Sequence, residues 1–121
     1  MRASSKLQTL RNSQQFRRVY EQGHRVHTPF FSAFILRNDC GEQRYGVTVT
    51  RKIGNAVVRN RCKRRLREII RRYESDGSFP VGFDLVINAK AGLAEADFKH
   101  LQEAFSRVMG RFRDLVGKHK P

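Results

Sequence analysis

The segment "KIGNAVVRNRCKRRLREIIRR", residues 52–72, holds nine basic residues and one acid, yet apolar side chains recur through it at steps of three and four. That spacing predicts a helix with one apolar stripe. Asn55, after Gly54, is placed to cap it by accepting from the amide of Val57 or Val58, so the helix should start at Ala56 and run to about Tyr73. With about 100° per residue, Val58, Ile69, Cys62, Tyr73, Leu66 and Ile70 fall within roughly a third of the circumference. Lys63, Arg67, Arg71, Arg64, Arg61, Arg72 and Arg65 fill most of the remainder, and Arg59 alone projects into the apolar arc, near the helix end. One face is therefore built for burial and a wide face for a polyanion.

Charge is unevenly spread. Residues 51–72 carry ten basic residues and one acid, so nine of the fourteen net positive charges fall in 22 residues. Like charges at i, i+3 and i, i+4 repel by a few tenths of a kcal/mol per pair, and only Glu68 offsets them here. A phosphate backbone accounts for such self-repulsion better than solubility does. The helix N-terminus, flanked by Arg51, Lys52 and Arg59, adds a positive dipole end.

The rest of the chain supplies a scaffold of one-domain size, 121 residues. "NSQQFRRVYEQG" reads as a short helix with Ser13 as cap, Gly23 as stop and Phe16, Val19 and Tyr20 on one face. After "RVHTP" comes a strand at Phe30–Leu36, in which Phe31, Ala33 and Ile35 alternate with Ser32, Phe34 and Leu36, so both faces require cover. "NDCGEQ" is turn-like, and "RYGVTVT" is expected to pair with the preceding strand as a hairpin. "FDLVINA" is a buried strand, and Phe98, Leu101, Phe105, Val108, Phe112 and Leu115 stripe a helix over residues 94–116. The expected class is α+β, a two-layer α/β sandwich in the order α-β-β-β-α-β-α with a mostly antiparallel mixed sheet. One domain spans 1–121, with 1–10 and 117–121 as flexible tails.

No apolar run of signal-peptide or membrane-spanning length occurs, which points to a cytoplasmic protein without a membrane partner. Cys40 and Cys62 read as reduced thiols. An enzyme with its own protein active site finds little support. The histidines at 24, 27, 100 and 119 lack metal-ligand spacing, and His24 and His27 flank a turn where solvated side chains are normal. Glu95 and Asp97 sit at a helix start, where acids are favourable anyway, and Cys62 lies on the buried stripe. A zipper-type DNA-binding basic region is disfavoured because the apolar stripe shares the basic helix and no heptad run follows. Structured RNA together with a single strand fits better, and a structural, ribosomal-type RNA-binding protein is the competing class.

The block "RKIGNAVVRNRCKRRLRE" resembles the signature of the bacterial ribonuclease P protein family, an Arg-Asn-Arg core followed by spaced basic residues on a helix. "FRRVYEQG" before an aromatic strand and the late "DLVINAKAG" extend the resemblance over nearly the whole chain. It implies a left-handed βαβ crossover around the basic helix, against the general right-handed rule. It also implies a subunit of a ribonucleoprotein endonuclease that binds the catalytic RNA and the 5′ leader of precursor tRNA. Chemistry would lie with the RNA and the Mg²⁺ that the RNA requires. No catalytic residue, no cofactor held by protein side chains alone and no small-molecule substrate is then expected on this chain. The resemblance assigns Arg59, Asn60 and Arg61 to the core motif, Lys63, Arg64 and Arg67 to the positions after it, and Lys52 and Asn55 to the lead-in. Arg51 and Arg71 join them as RNA-facing charges by position on the basic segment. Phe16, Tyr20, Phe34 and Lys90 match a cleft for the single-stranded leader; Phe at 34 keeps a stacking face but lacks a phenol hydroxyl.

Overall fold

The structure, a computed structural model, describes residues 7–77, 79 and 81–118. The expected tail segments 1–6 and 119–121, His119 among them, lie outside the described residues. In chain order the elements are β1 (Leu7–Thr9), α1 (Ser13–Gln22), β2 (His24–His27), β3 (Phe31–Arg37), β4 (Gln43–Thr48), α2 (Ala56–Ser75), β5 (Phe83–Ala89) and α3 (Phe98–Lys118). Single 3-10 turns at Arg51–Ile53 and Leu93–Glu95 lead into α2 and α3. The five strands form one sheet in the order β1-β4-β5-β3-β2.

Several expectations are corrected. β3 and β4 do not form a hairpin, because β5 lies between them, antiparallel to β3 and parallel to β4. The physical reason is the burial of β5: Phe83 to Ile87, apolar but for Asp84, are all buried, which only a central strand covered on both faces provides. The turn still does its local work, since Asn38 N–H donates to the Gly82 carbonyl and Gly82 N–H to the Glu42 carbonyl, so the loop straddles the start of β5. The sheet is then evenly mixed rather than mostly antiparallel, because β1 also pairs in parallel with β4. Residues 7–9, expected within a tail, are that edge strand, and α3 continues through Lys118 where a tail was expected from 117.

Alternation along β3 creates two cores. Phe31, Ala33 and Ile35 join Tyr45, Leu85 and Ile87 beneath α2 and α3, where Cys62, Leu66, Ile69, Ile70, Leu101, Phe105, Val108 and Phe112 are buried. On the other face Leu10, Val19 and Val86 form a small core under α1, with Phe16, Tyr20, Phe34 and Leu36 packed around it. The helix caps follow local chemistry. Asn12 rather than Ser13 caps α1, its Oδ1 accepting from Gln15 N at 3.0 Å while Gln15 Oε1 accepts from the Asn12 amide, a reciprocal pair that Ser13 has no partner to make. Asn55 Oδ1 accepts from Val58 N at 3.0 Å, as expected for α2.

Candidate nucleic-acid interface

The outward face of α2 is a stripe of cations. Arg61, Arg64, Arg67 and Arg71 are exposed, Lys63 is half-buried, and Asn60 stands exposed among them. Arg51, Lys52 and Asn55 are exposed at the helix start. Arg59 is half-buried, and its Nη1 donates to the Gly54 carbonyl at 3.0 Å, folding its charge back over the first turn of α2.

Two other basic residues of α2 are committed to the protein. Arg65 donates from Nη1 to the carbonyls of Leu93 and Ala94 and from Nη2 to that of Ala96, which clamps the 3-10 turn before α3. Arg72 pairs with Glu68 at 3.2 Å and lies 4.9 Å from the centre of the Phe98 ring. Helical projection places both at the border of the apolar arc but cannot supply the carbonyls and the ring that use them. Cys62 is fully buried, and burial pushes its thiol up, away from a reactive thiolate.

On the opposite sheet face, α1 and the strands form an aromatic cleft. Tyr20 meets Phe34 edge-on at 5.0 Å between ring centres, and Phe16 lies 6.5 Å from Tyr20. The Tyr20 hydroxyl donates to Asn88 Oδ1 at 2.6 Å and contacts Thr48 Oγ1 at 3.0 Å, so the ring is pinned to β4 and β5 rather than reaching free solvent. Phe16 occupies the space above Gly46, where an added Cβ would stand 2.5 Å from ring carbons. A groove of about 510 Å³ opens beside Phe16 and Tyr20, lined also by Ser13, Arg17, Glu21 and Thr48. Three half-buried rings with such a groove suit the faces of unstacked bases. Replacing Gly46 by valine should therefore expel Phe16 from the floor, costing about 1–3 kcal/mol by overpacking. Denaturant unfolding and single-strand binding, measured together, are expected to fall together.

The cleft has a cationic rim that sequence reading described only in part. Lys90, at the end of β5, donates from Nζ to the Thr28 carbonyl at 2.7 Å and so is held over the β2–β3 turn. Arg25 and His27 point to the same side, because their register partners across the antiparallel pair are Phe34 and Ser32. His24 faces the other way and meets Arg111 Nη2 at 3.3 Å. Among the described residues no group of three or more His, Cys, Asp or Glu side chains is placed to hold a metal ion.

A mixed sheet with a half-buried, arginine-rich crossover helix on one face and an aromatic cleft on the other defines a small RNA-binding α/β sandwich. A sequence model of the family Ribonuclease P matches residues 5–113. The chain is 38% identical over 104 residues to the ribonuclease P protein component of Caldanaerobacter subterraneus subsp. tengcongensis, covering 86% of this chain and 88% of that one. It is 34% identical over 100 residues to the ribonuclease P protein component of Syntrophomonas wolfei, covering 83% and 82%. The solved RNase P protein from Thermotoga maritima superimposes with a TM-score of 0.74 at 31% identity, over 85% of this chain and 96% of that one. The chain belongs to the ribonuclease P protein family, and its role is that of the protein subunit of this tRNA-processing ribonucleoprotein endonuclease.

Proposed function

We propose that the protein holds two RNA surfaces at once: the α2 stripe grips the catalytic RNA, and the α1 cleft holds the single-stranded 5′ leader of precursor tRNA. The observation that carries this reading is the placement of the exposed cations and the aromatic cleft on opposite faces of one sheet. On the α2 side, Arg51, Lys52, Asn55, Asn60, Arg61, Lys63, Arg64, Arg67 and Arg71 act as donors to phosphates or sugar hydroxyls, with Arg59 completing the first turn. Cations and backbone amides at a helix start suit a bent phosphate backbone. In the cleft, Phe16, Tyr20 and Phe34 stack bases without sequence readout, while Lys90 faces the strand's charge. Mg²⁺ bound by the RNA supplies the hydrolytic chemistry, and this chain's residues bind and orient the leader. No described helix is long and apolar enough to cross a membrane, and the working environment proposed for this assembly is the cytoplasm.

The test is cleavage of precursor tRNA by a bacterial ribonuclease P RNA at near-physiological Mg²⁺, with and without this protein, alongside affinities for precursor and mature tRNA. Cleavage should rise with protein, and the complex should prefer precursor. Binding of the RNA with neither effect would leave only a structural RNA-binding role. Within the complex, Tyr20→Ala or Phe34→Ala is expected to weaken precursor binding by about 1–3 kcal/mol, some fivefold to 150-fold, with mature tRNA unaffected. Tyr20→Phe keeps the ring and loses only the hydrogen bonds to Asn88 and Thr48, so it separates stacking from positioning.

A further inference from the structure

The rim of the cleft on its β2 side presents three cationic or protonatable groups without a carboxylate partner among the described residues. Arg25 lies with its guanidinium carbon 5.5 Å from the centre of the Phe34 ring. His27, two residues along β2, has Nδ1 3.1 Å from Ser32 Oγ, which leaves Nε2 without a hydrogen-bond partner among the described residues. Lys90 reaches the same corner from β5 through its bond to the Thr28 carbonyl. The described salt bridges, Arg44–Asp84 and Arg72–Glu68, involve none of these three groups. A guanidinium lying over an aromatic ring, with a histidine and a lysine at the same corner, offers a nucleotide both halves of a site: the base extends the Arg25–Phe34 stack and the cations take the phosphate.

We propose that Arg25, His27 and Lys90 form a phosphate clamp for the nucleotide whose base stacks on Phe34, and that His27 takes up a proton from solvent when that phosphate binds. The proposal rests on the leader-binding reading of the cleft and adds to it a site and a proton.

The groups facing His27 are Arg25 on its own strand, neutral Ser32 on β3 and Lys90 beyond β5. The Arg25 charge, followed by loss of hydration and the Lys90 charge, holds its imidazole below the usual histidine range, so the free protein carries it neutral at pH 7. A phosphate between the three groups reverses the field and favours the imidazolium, which then donates from Nε2 while Nδ1–H donates to Ser32 Oγ. The sign follows from linkage. A pKa higher in the bound state than in the free state makes affinity rise as pH falls through the interval between the two. Above the bound value no proton is taken up, and below the free value the proton is already present. Affinity is flat in both limits, and the total gain is about tenfold for each unit of separation.

The experiment uses the reconstituted complex of protein and ribonuclease P RNA, with precursor tRNA carrying a leader and with the same tRNA lacking it. Binding is measured from pH 5.5 to 8 for the unaltered protein, His27→Ala and His27→Arg. Only leadered substrate should bind more tightly at low pH, at up to one proton per complex. His27→Ala should be flat at the weak limit, and His27→Arg, a permanent cation, flat at the tight limit. Separately, the His27 ring protons followed by NMR in the free protein should titrate at higher pH once a short single-stranded oligouridylate is added. A pH response equal in leadered and leaderless tRNA, or one that survives His27→Ala, overturns the clamp. So does an unmoved titration. If the unaltered complex fails to distinguish leadered from leaderless tRNA at any pH, the leader-binding reading itself falls and takes the clamp with it. If it does distinguish them without any pH response, the clamp alone fails.

Discussion

Replacing Arg64, Arg67 and Arg71 together by alanine is expected to weaken assembly with the ribonuclease P RNA by roughly a thousandfold at physiological salt while leaving the fold intact. All three side chains are exposed and lie on the α2 stripe away from the buried residues Cys62, Leu66, Ile69 and Ile70. A hydrogen bond to a charged group contributes about 1.5–3 kcal/mol, and solvent access argues for the lower end, so three of them sum to about 4.5 kcal/mol. Thermal unfolding should not suffer. Arg64, Arg67 and Arg71 repel one another at i, i+3 and i, i+4, and their removal relieves a few tenths of a kcal/mol per pair. The salt series is the sharper readout. If the stripe neutralises about six phosphates, the log–log slope of affinity against salt is near −0.7 per contact on single strands and steeper on duplex, and the triple variant should lose about three contacts' worth of it. An unchanged slope would mean that these arginines do not meet phosphate. By contrast, Arg65→Ala strips three carbonyls of their donor and should act mainly on stability, although it removes the same formal charge.

That contrast marks how far the sequence is legible. Periodicity located α2, its cap and its buried stripe, because a 3.6-residue repeat is a local property that the chain states within each helix. It put Arg65 at the border of the apolar arc but could not show what holds it there, a set of carbonyls some thirty residues downstream. The same limit explains the misread hairpin. "NDCGEQ" has the composition of a two-strand turn, and only the pairing of β5 with both neighbours, across more than thirty residues of sequence on the β4 side, decides otherwise. The apolar stretch Leu85–Ile87 of β5 was the available signal, because a strand buried on both faces wants the centre of a sheet. β1 is three residues long and carries no pattern of its own; it exists because β4 leaves an open edge. In the cleft, the aromatic residues and Lys90 came from resemblance, and the rest of the rim, Arg25 and His27, did not. His27 looked like a solvated turn residue, and its company of Arg25, Ser32 and Lys90 is set by strand register.

Asp84→Ala is expected to destabilise the protein by about 3–5 kcal/mol, the largest effect of a single polar substitution among the described residues. Asp84 is 1% exposed at the start of β5, and its two oxygens take Arg44 Nε and Nη2, each at 2.8 Å, in a bidentate pair. Asn38 Nδ2 donates to the same carboxylate at 2.8 Å and to the Glu42 carbonyl, which ties in the loop that straddles β5. The carboxylate raises the affinity of the Arg44 guanidinium for its proton, so the cation is permanent, and losing its partner strands a charge of low exposure. Removing one member of a buried pair costs far more than the pair contributes, which is the origin of the figure. The double variant Asp84→Leu with Arg44→Met tests that origin: with both charges gone, much of the stability should return. Denaturant midpoints for the single and double variants decide the matter. Equal losses in the two would show that the ion pair itself, rather than the stranded guanidinium, holds β5 between β3 and β4.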